Sequence, residues 1–260
     1  MRLRLLILLL LFLPGVARAA PVSDYSNFAY QQKLGNKLPM QAVFRDETGR
    51  PVRLAELFGG KPVILALVYF HCPNICGIVR ADLFFALSRT GMIAGRDYTL
   101  IALSIDPSET SAEAAAAKAE DMARYPAPEA TRGWHFLTGS AKPVKAVADA
   151  VGFHDQFDPK LKQFIHPAGI LFTTPAGIVS SYLLGVGYRP QDVRLAVTRA
   201  ERGGVARAAL PVLLLCFHYD ATTGKYTLAI LKLLRLAAVI TVVTVGGTLY
   251  LAFRRDRGKA

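Results

Sequence analysis

The stretch KPVILALVYFHCPNICG at residues 61–77 decides the fold of this 260-residue chain. Its first part, 61–70, is apolar and rich in β-branched side chains, which predicts a central strand buried on both faces. From residue 72 onward, apolar side chains recur at helical spacing at Ile75, Val79, Leu83 and Leu87. Cys72 and Cys76 therefore lie at a strand-to-helix junction, a position that indicates redox chemistry or soft-metal binding rather than packing.

Strands and helices alternate on both sides of this junction. The pattern predicts a hairpin over 41–54, strands over 98–104 and 134–138, helices over 110–125, 140–151 and 190–202, and a second hairpin over 170–184. This order indicates an α/β domain over 38–202, with a thioredoxin-like central sheet, flanking helices and an N-terminal hairpin. Residues 20–37 form a lead-in, and 203–225 form a linker.

The two ends of the chain carry targeting signals. Arg2 and Arg4 precede the apolar run 5–13, and a small-residue cleavage site follows, so residues 1–19 are expected to be a cleaved signal peptide. The alternative is an uncleaved anchor. Residues 226–253 are expected to contain a transmembrane helix, because 236–253 carries no charge and is long enough to span a bilayer. The alternative there is a buried core helix.

The distribution of positive charge predicts orientation and excludes one class of partner. The basic tail 254–260 favours a cytoplasmic C-terminus, which places the folded domain on the exported, periplasmic side of the inner membrane. Half of the formal net charge of +12 lies in the predicted signal peptide and this tail. The remaining domain is mildly basic and holds no run of lysine or arginine, so nothing predicts nucleic-acid binding.

The cysteine pair favours a copper site. A disulfide between Cys72 and Cys76 would close a short loop and stabilise little. Two thiolates select Cu(I), zinc or an iron–sulfur cluster. Zinc requires four ligands, and the third cysteine, Cys216, lies beyond the predicted domain. Cu(I) accepts two sulfurs and one imidazole.

His166 is the best candidate for the imidazole ligand. It precedes Pro167 and a predicted strand, in a loop that passes beside the cysteine helix of a thioredoxin-like fold. The other histidines are expected to be ordinary core, loop or juxtamembrane residues, namely His71, His135, His154 and His218.

The chain resembles the Sco/SenC family of copper-binding, thioredoxin-like proteins that assist assembly of cytochrome c oxidase. The resemblance covers residues 38–202 and rests on Gly49-Arg50-Pro51-Val52, His71-Cys72-Pro73-Asn74-Ile75-Cys76, Ser104-Ile105-Asp106-Pro107, Leu137-Thr138-Gly139-Ser140 and the downstream His166. It implies a copper site made by Cys72, Cys76 and His166, with Asp106 orienting or tuning the ligands. It also implies a partner, the copper-site subunit of a cytochrome c oxidase.

The chain departs from the family pattern at two positions of the site. Gly77 stands where proline usually follows the second cysteine, and His166 lies between Ile165 and Pro167 instead of between aspartate and serine. An alternative interpretation of Asp106 is a turn residue at the end of a strand.

Two functions remain open from the sequence. One is a copper chaperone, and the other is a thiol–disulfide reductase in which Cys72 attacks a partner disulfide and Cys76 resolves it. The three-residue spacer and His166 favour the chaperone, because a reductase needs neither. A peroxidase would use a single thiolate, and a structural disulfide in an anchored module is the plainest alternative.

Overall fold

The computed structural model describes residues 30–71, 75–125, 132–159, 163–208 and 235–248. The chain divides into two compact units at residue 209. The first contains strands β1 (Val43–Arg45), β2 (Pro51–Arg53), β3 (Val63–Val68), β4 (Thr99–Ser104), β5 (Trp134–Leu137), β6 (Gln156–Asp158), β7 (Gln163–Ile165), β8 (Gly169–Thr173) and β9 (Val179–Leu184). Its helices are α1 (Ile75–Leu87), α2 (Ser111–Arg124), α3 (Ala141–Val151) and α4 (Pro190–Glu201). In the second unit, helix α5 spans 235–248.

A five-stranded mixed sheet forms the centre of the first unit, in the order β5-β4-β3-β8-β9. Strand β3 pairs in parallel with β4 and antiparallel with β8. Every residue of β3 and β4 is buried, as expected of apolar strands covered on both faces. The thioredoxin-like α/β prediction is therefore confirmed for the central sheet.

Local sequence signals explain the ends of the helices. Thr110 and Glu113 close a capping box at the start of α2, the helix predicted over 110–125. Pro190 begins α4, where the missing amide costs nothing. Ser140 is the N-cap of α3, but its side chain makes no capping hydrogen bond. Helix α4 packs on α1 and on strands β3, β8 and β9, whereas α2 packs on β5.

Both edges of the central sheet are covered by other parts of the chain. The lead-in runs along β9, where Val179 exchanges backbone hydrogen bonds with Gly35 and Asn36 at 2.9 and 2.8 Å. Ser180 of β9 has no partner in the register with β8. Its carbonyl oxygen instead accepts a hydrogen bond from the Ala206 amide at 2.8 Å. At the opposite edge, Arg45 bridges to β5 through the backbone of Thr138.

Two elements of the described residues were not predicted from the sequence, and one of them is a short 3-10 helix over Leu54–Leu57 after β2. The other is a separate antiparallel hairpin that strands β6 and β7 form between α3 and β8. The predicted signal peptide lies outside the described residues, as do residues 226–234 and 249–253 of the predicted transmembrane segment. Across the described ranges, no helix is both long and apolar enough to cross a bilayer.

Candidate metal centre

The segment that carries the cysteines leaves the sheet at the end of β3. Val68 is the last residue of the strand, and Tyr69 after it is still buried. Cys72 lies outside the described residues. Cys76 lies in the first described turn of α1, where the structure describes its backbone and not its side chain. The predicted strand-to-helix junction is therefore confirmed for the backbone on either side of residues 72–74.

A buried carboxylate holds the backbone just before Cys72. Glu109, in the loop between β4 and α2, accepts hydrogen bonds from the Phe70 amide at 2.9 Å and the His71 amide at 2.8 Å. The Ser104 hydroxyl donates a third, at 2.5 Å. Because a buried carboxylate is costly without hydrogen bonds, these three donors explain how Glu109 is accommodated.

The His71 ring turns away from the core. Its Nδ1 lies 3.5 Å from a Glu109 oxygen and 3.4 Å from a Glu113 oxygen, and the side chain is 64 % exposed. Hydrogen bonds from Thr110 are the largest influence on Glu113 and lower the pKa of its carboxyl group. His71 is thus flanked by two carboxylates on the solvent side of the junction.

Asp106 makes local contacts in the same loop. Its Oδ1 accepts hydrogen bonds from the Ser108 amide at 2.8 Å and the Ser108 hydroxyl at 2.6 Å. This is an Asx turn, in which an aspartate side chain binds the backbone two residues later. Its contacts match the turn interpretation, and a tuning role toward the cysteines stays a prediction.

His166 lies between β7 and β8, at the end of the sheet where β3 also ends. Its ring centroid is 5.8 Å from that of Tyr69, in an edge-to-face arrangement, and 5.8 Å from that of Phe153. Tyr69 precedes Cys72 by three residues. Because β8 runs antiparallel to β3, the loop before β8 returns to the cysteine segment, as the thioredoxin-like pattern predicts.

A backbone carbonyl orients the His166 ring. Nδ1 lies 2.9 Å from the Pro167 carbonyl oxygen. Since a carbonyl only accepts, Nδ1 carries the proton in this arrangement, and the lone pair of the neutral ring is on Nε2. Metal-binding histidines usually have such a partner on the second ring nitrogen, which fixes the ring.

An acidic group lies within electrostatic reach of His166. Asp155 belongs to the loop that joins α3 to β6. The residue is exposed as a whole, but desolvation of its carboxyl group raises the pKa of Asp155, while His166 acts in the opposite direction. The sequence analysis did not identify this residue.

Besides His71 and His166, the described residues include His135 and His154. His135 lines a cleft with Lys61 and Thr99, at the ends where β3 and β4 begin, and burial lowers the pKa of His135. The buried Nε2 of His154 has no hydrogen-bond partner among the described residues. Within those same residues, no group of three or more histidine, cysteine, aspartate or glutamate side chains is arranged to hold a metal ion.

The donor set nevertheless suits a soft metal ion. The His166 imidazole, held by its backbone neighbour, packs on Tyr69, three residues before Cys72 in the sequence. Two sulfurs with one nitrogen are ligands that Cu(I) accepts. Glu109 was missed because its contacts join residues 38 and 39 positions apart in the chain. Its sequence neighbours gave no signal beyond the capping box that follows.

These features define a thioredoxin-like domain with a cysteine pair after the central strand and a histidine before the antiparallel strand. Residues 33–198 match the SCO1/SenC family. The chain belongs to this family, and the resemblance inferred from its motifs is confirmed. A search of the curated proteins finds no match.

Solved structures share the fold. A candidate electron transfer protein from Aquifex aeolicus is 25% identical, with a TM-score of 0.58, and the match covers 66% of this chain and 95% of that one. Arabidopsis thaliana ScoI with copper bound is 19% identical, with a TM-score of 0.51 over 65% and 99% of the two chains. BsSco, a Sco-family cytochrome c oxidase assembly protein described with a disulfide switch, is 22% identical, with a TM-score of 0.51 over 65% and 96%.

Proposed function

We propose that this chain is a membrane-anchored copper chaperone that binds copper through Cys72, Cys76 and His166 and serves assembly of the copper centre of cytochrome c oxidase. Membership of the SCO1/SenC family supports this proposal. So does a solved relative of the same fold that holds copper. The observation that carries the proposal is the packing of the His166 ring on Tyr69, three residues before the first cysteine.

Copper is the cargo in this proposal, and the ligand set explains how it is held and passed on. Thiolates and a neutral imidazole are soft donors that suit Cu(I), which is content with two or three ligands. The Pro167 carbonyl keeps the proton on Nδ1 and the lone pair on Nε2. Ligands of the recipient then replace those of the chaperone one at a time, so no free ion is released.

The proposal includes a location at a membrane, which is supported by the sequence patterns at residues 1–19 and 226–260. We infer a signal peptide over 1–19 and a C-terminal anchor within 226–253, with the domain on the periplasmic side of the inner membrane. Alkaline phosphatase fused after residue 208 should be active, and a fluorescent protein fused after residue 260 should fluoresce. An inactive phosphatase fusion would contradict this orientation.

Copper titration tests the ligand assignment. The reduced full chain should bind one Cu(I) in competition with a chromogenic chelator. His166→Ala should weaken binding by at least about tenfold, since loss of even an outer partner of a metal ligand costs that much. His135→Gln is the matched control, because this histidine lines a cleft where β3 and β4 begin. Equal affinity of His166→Ala and wild type would refute the three-ligand site.

A thiol–disulfide reductase is the second candidate. The backbone of α1 carries Cys76 four residues after Cys72, at the start of the helix. The Cys72 thiolate would attack a partner disulfide and release one thiolate, and Cys76 would then release the second. The partner gains two electrons and two protons, while a Cys72–Cys76 disulfide forms. Copper-free reduced chain that reduces an oxidised copper-site peptide stoichiometrically would favour this activity.

A further inference from the structure

The cysteine segment follows the point where strand pairing ends. The parallel register of β3 with β4 runs as far as Val68 and Ser104. Beyond it, the Phe70 and His71 amides donate to the two carboxylate oxygens of Glu109, at 2.9 and 2.8 Å. The carboxylate thus replaces the carbonyls of a neighbouring strand for two further residues.

We propose that Glu109 is the positioning residue of the cysteine segment. By binding the amides of Phe70 and His71, it fixes the chain that enters Cys72 and so sets where the first thiol meets His166. The proposal rests on the copper-binding function proposed above. It concerns backbone geometry, because Glu109 contacts the two residues that precede Cys72.

The surroundings of Glu109 favour this role over that of a general surface charge. Its side chain is 3 % exposed, and the Ser104 hydroxyl locks one of its oxygens from β4. Hydrogen bonds to an ionised acceptor are about twice as strong as neutral ones. A metal or thiol pair needs its supports held to within about 0.5 Å, and a carboxylate anchored in the core supplies such a support.

Glu113 provides a matched control for charge. One of its oxygens lies 3.4 Å from Nδ1 of His71, and an oxygen of Glu109 lies 3.5 Å from the same atom, so both carboxylates lie close to that ring. Glu113, however, binds the Thr110 amide and hydroxyl at the start of α2. Removing charge at Glu113 therefore leaves the backbone of the cysteine segment held.

Two substitutions at Glu109 separate charge from geometry. Glu109→Asp keeps the charge but shortens the side chain by one methylene, so its oxygens no longer reach both amides. Glu109→Gln keeps the length but places an amide donor against a backbone donor. A positioning role predicts that both variants lose function, whereas a purely electrostatic role predicts that the aspartate variant retains it.

Hydrogen exchange and copper affinity test this in the reduced full chain. The amides of Phe70 and His71 should exchange about ten- to hundredfold faster in both Glu109 variants, the range for losing a hydrogen bond to a charged group. Cu(I) affinity should fall about tenfold, as for other outer partners of metal ligands. In Glu113→Gln both quantities should stay within about twofold of wild type.

Each outcome decides the proposal. The proposal is overturned if the amides of Phe70 and His71 exchange at the wild-type rate in both Glu109 variants. It is also overturned if Glu109→Asp alone keeps the wild-type exchange rates and Cu(I) affinity. If Glu109→Gln does not fold, Glu109→Asp and Ser104→Ala carry the test, and the serine variant should show a smaller loss in the same direction. If wild type binds no Cu(I), the copper function fails, whereas the exchange rates still decide the role of Glu109.

Discussion

A buried ion pair joins the cysteine helix to its neighbour and leads to a quantitative prediction. Arg80 of α1 donates through Nε to Asp121 of α2 at 2.7 Å, and the two side chains are 6 % and 1 % exposed. Burial raises the pKa of Asp121, and Arg80 opposes that rise. Arg80 Nη1 and Asp121 Oδ1 are also buried without a partner among the described residues. The pair therefore recovers only part of its desolvation penalty.

Breaking one side of the pair should be far more damaging than removing both. Asp121→Asn leaves the Arg80 guanidinium buried without its counter-ion, which costs about 3–5 kcal/mol of unfolding free energy. Replacing both with apolar residues of similar size, as in Arg80→Met with Asp121→Leu, should be neutral or stabilise by about 1–4 kcal/mol. The double variant should thus be more stable than the single one.

Trp134 supplies the assay. It is the only tryptophan in the chain, it is buried, and its ring centroid lies 4.2 Å from that of Phe84 on α1. Urea unfolding followed by its fluorescence therefore reports on the docking of the cysteine helix. The exposed pair of Lys145 and Asp149 on α3 is the control, and Asp149→Ala should cost less than about 0.5 kcal/mol.

Two results would contradict this reasoning about the ion pair. One is an Asp121→Asn variant that loses less than about 1 kcal/mol, because the buried guanidinium would then be tolerated alone. The other is a double variant as unstable as the single one. That result would show that packing between α1 and α2, rather than the uncompensated charge, sets the cost.

Two further predictions concern the periphery of the domain. Desolvation raises the pKa of Asp46, but hydrogen bonds from Thr48 and Arg50 outweigh this effect and hold the pKa below its usual 3.8. Asp46→Asn should therefore cost about 1–2 kcal/mol of unfolding free energy at pH 7. The difference from wild type should shrink as the pH falls below about 4, because the Asp46 carboxylate of the wild type then becomes protonated. An unchanged difference between urea midpoints at pH 7 and pH 3 would exclude this cause. A Cβ at Gly152 (φ 65°) would lie 1.9 Å from the Gln31 carbonyl oxygen, so Gly152→Ala should destabilise the domain by more than about 2 kcal/mol. Gly35 is the control, because it has a φ of 83° and a Cβ there would meet nothing within 4 Å. Gly35→Ala should therefore cost about 1 kcal/mol for backbone strain alone. Equal thermal stability of the two alanine variants would refute the clash.

The central part of the fold was predictable because its signals are local. Strands β3 and β4 are continuous apolar runs, and the capping box of Thr110 and Glu113 lies within four residues. The hairpin of β6 and β7 was missed because each strand has three residues and because residues 159–162 between them contain no glycine, unlike the turn between the equally short β1 and β2. Strands that short show no periodic pattern.

The position of His166 beside Tyr69 was predictable from the sequence, whereas the residues around it were less so. His166 follows from strand order, since a loop before an antiparallel neighbour of β3 must return to the end of β3. Glu109 contacts the backbone of residues 70 and 71, and Phe153 contacts the His166 ring. These contacts join residues that are distant in the sequence, so no spacing rule identifies them. The motif directed attention to Asp106, whereas the carboxylate that touches the cysteine segment lies three residues later.

The covered sheet edge has a practical consequence for where a stable fragment begins and ends. The family match spans 33–198, but the structural unit needs more chain at both ends. Gln31 binds the Gly152 carbonyl, and Ala206 binds Ser180 on β9. A fragment cut at 198 removes that second contact, along with the end of α4, and uncovers part of an outer strand whose unpaired backbone groups invite pairing with other chains. A fragment from 30 to 208 keeps these contacts and should remain monodisperse at concentrations where the shorter one aggregates.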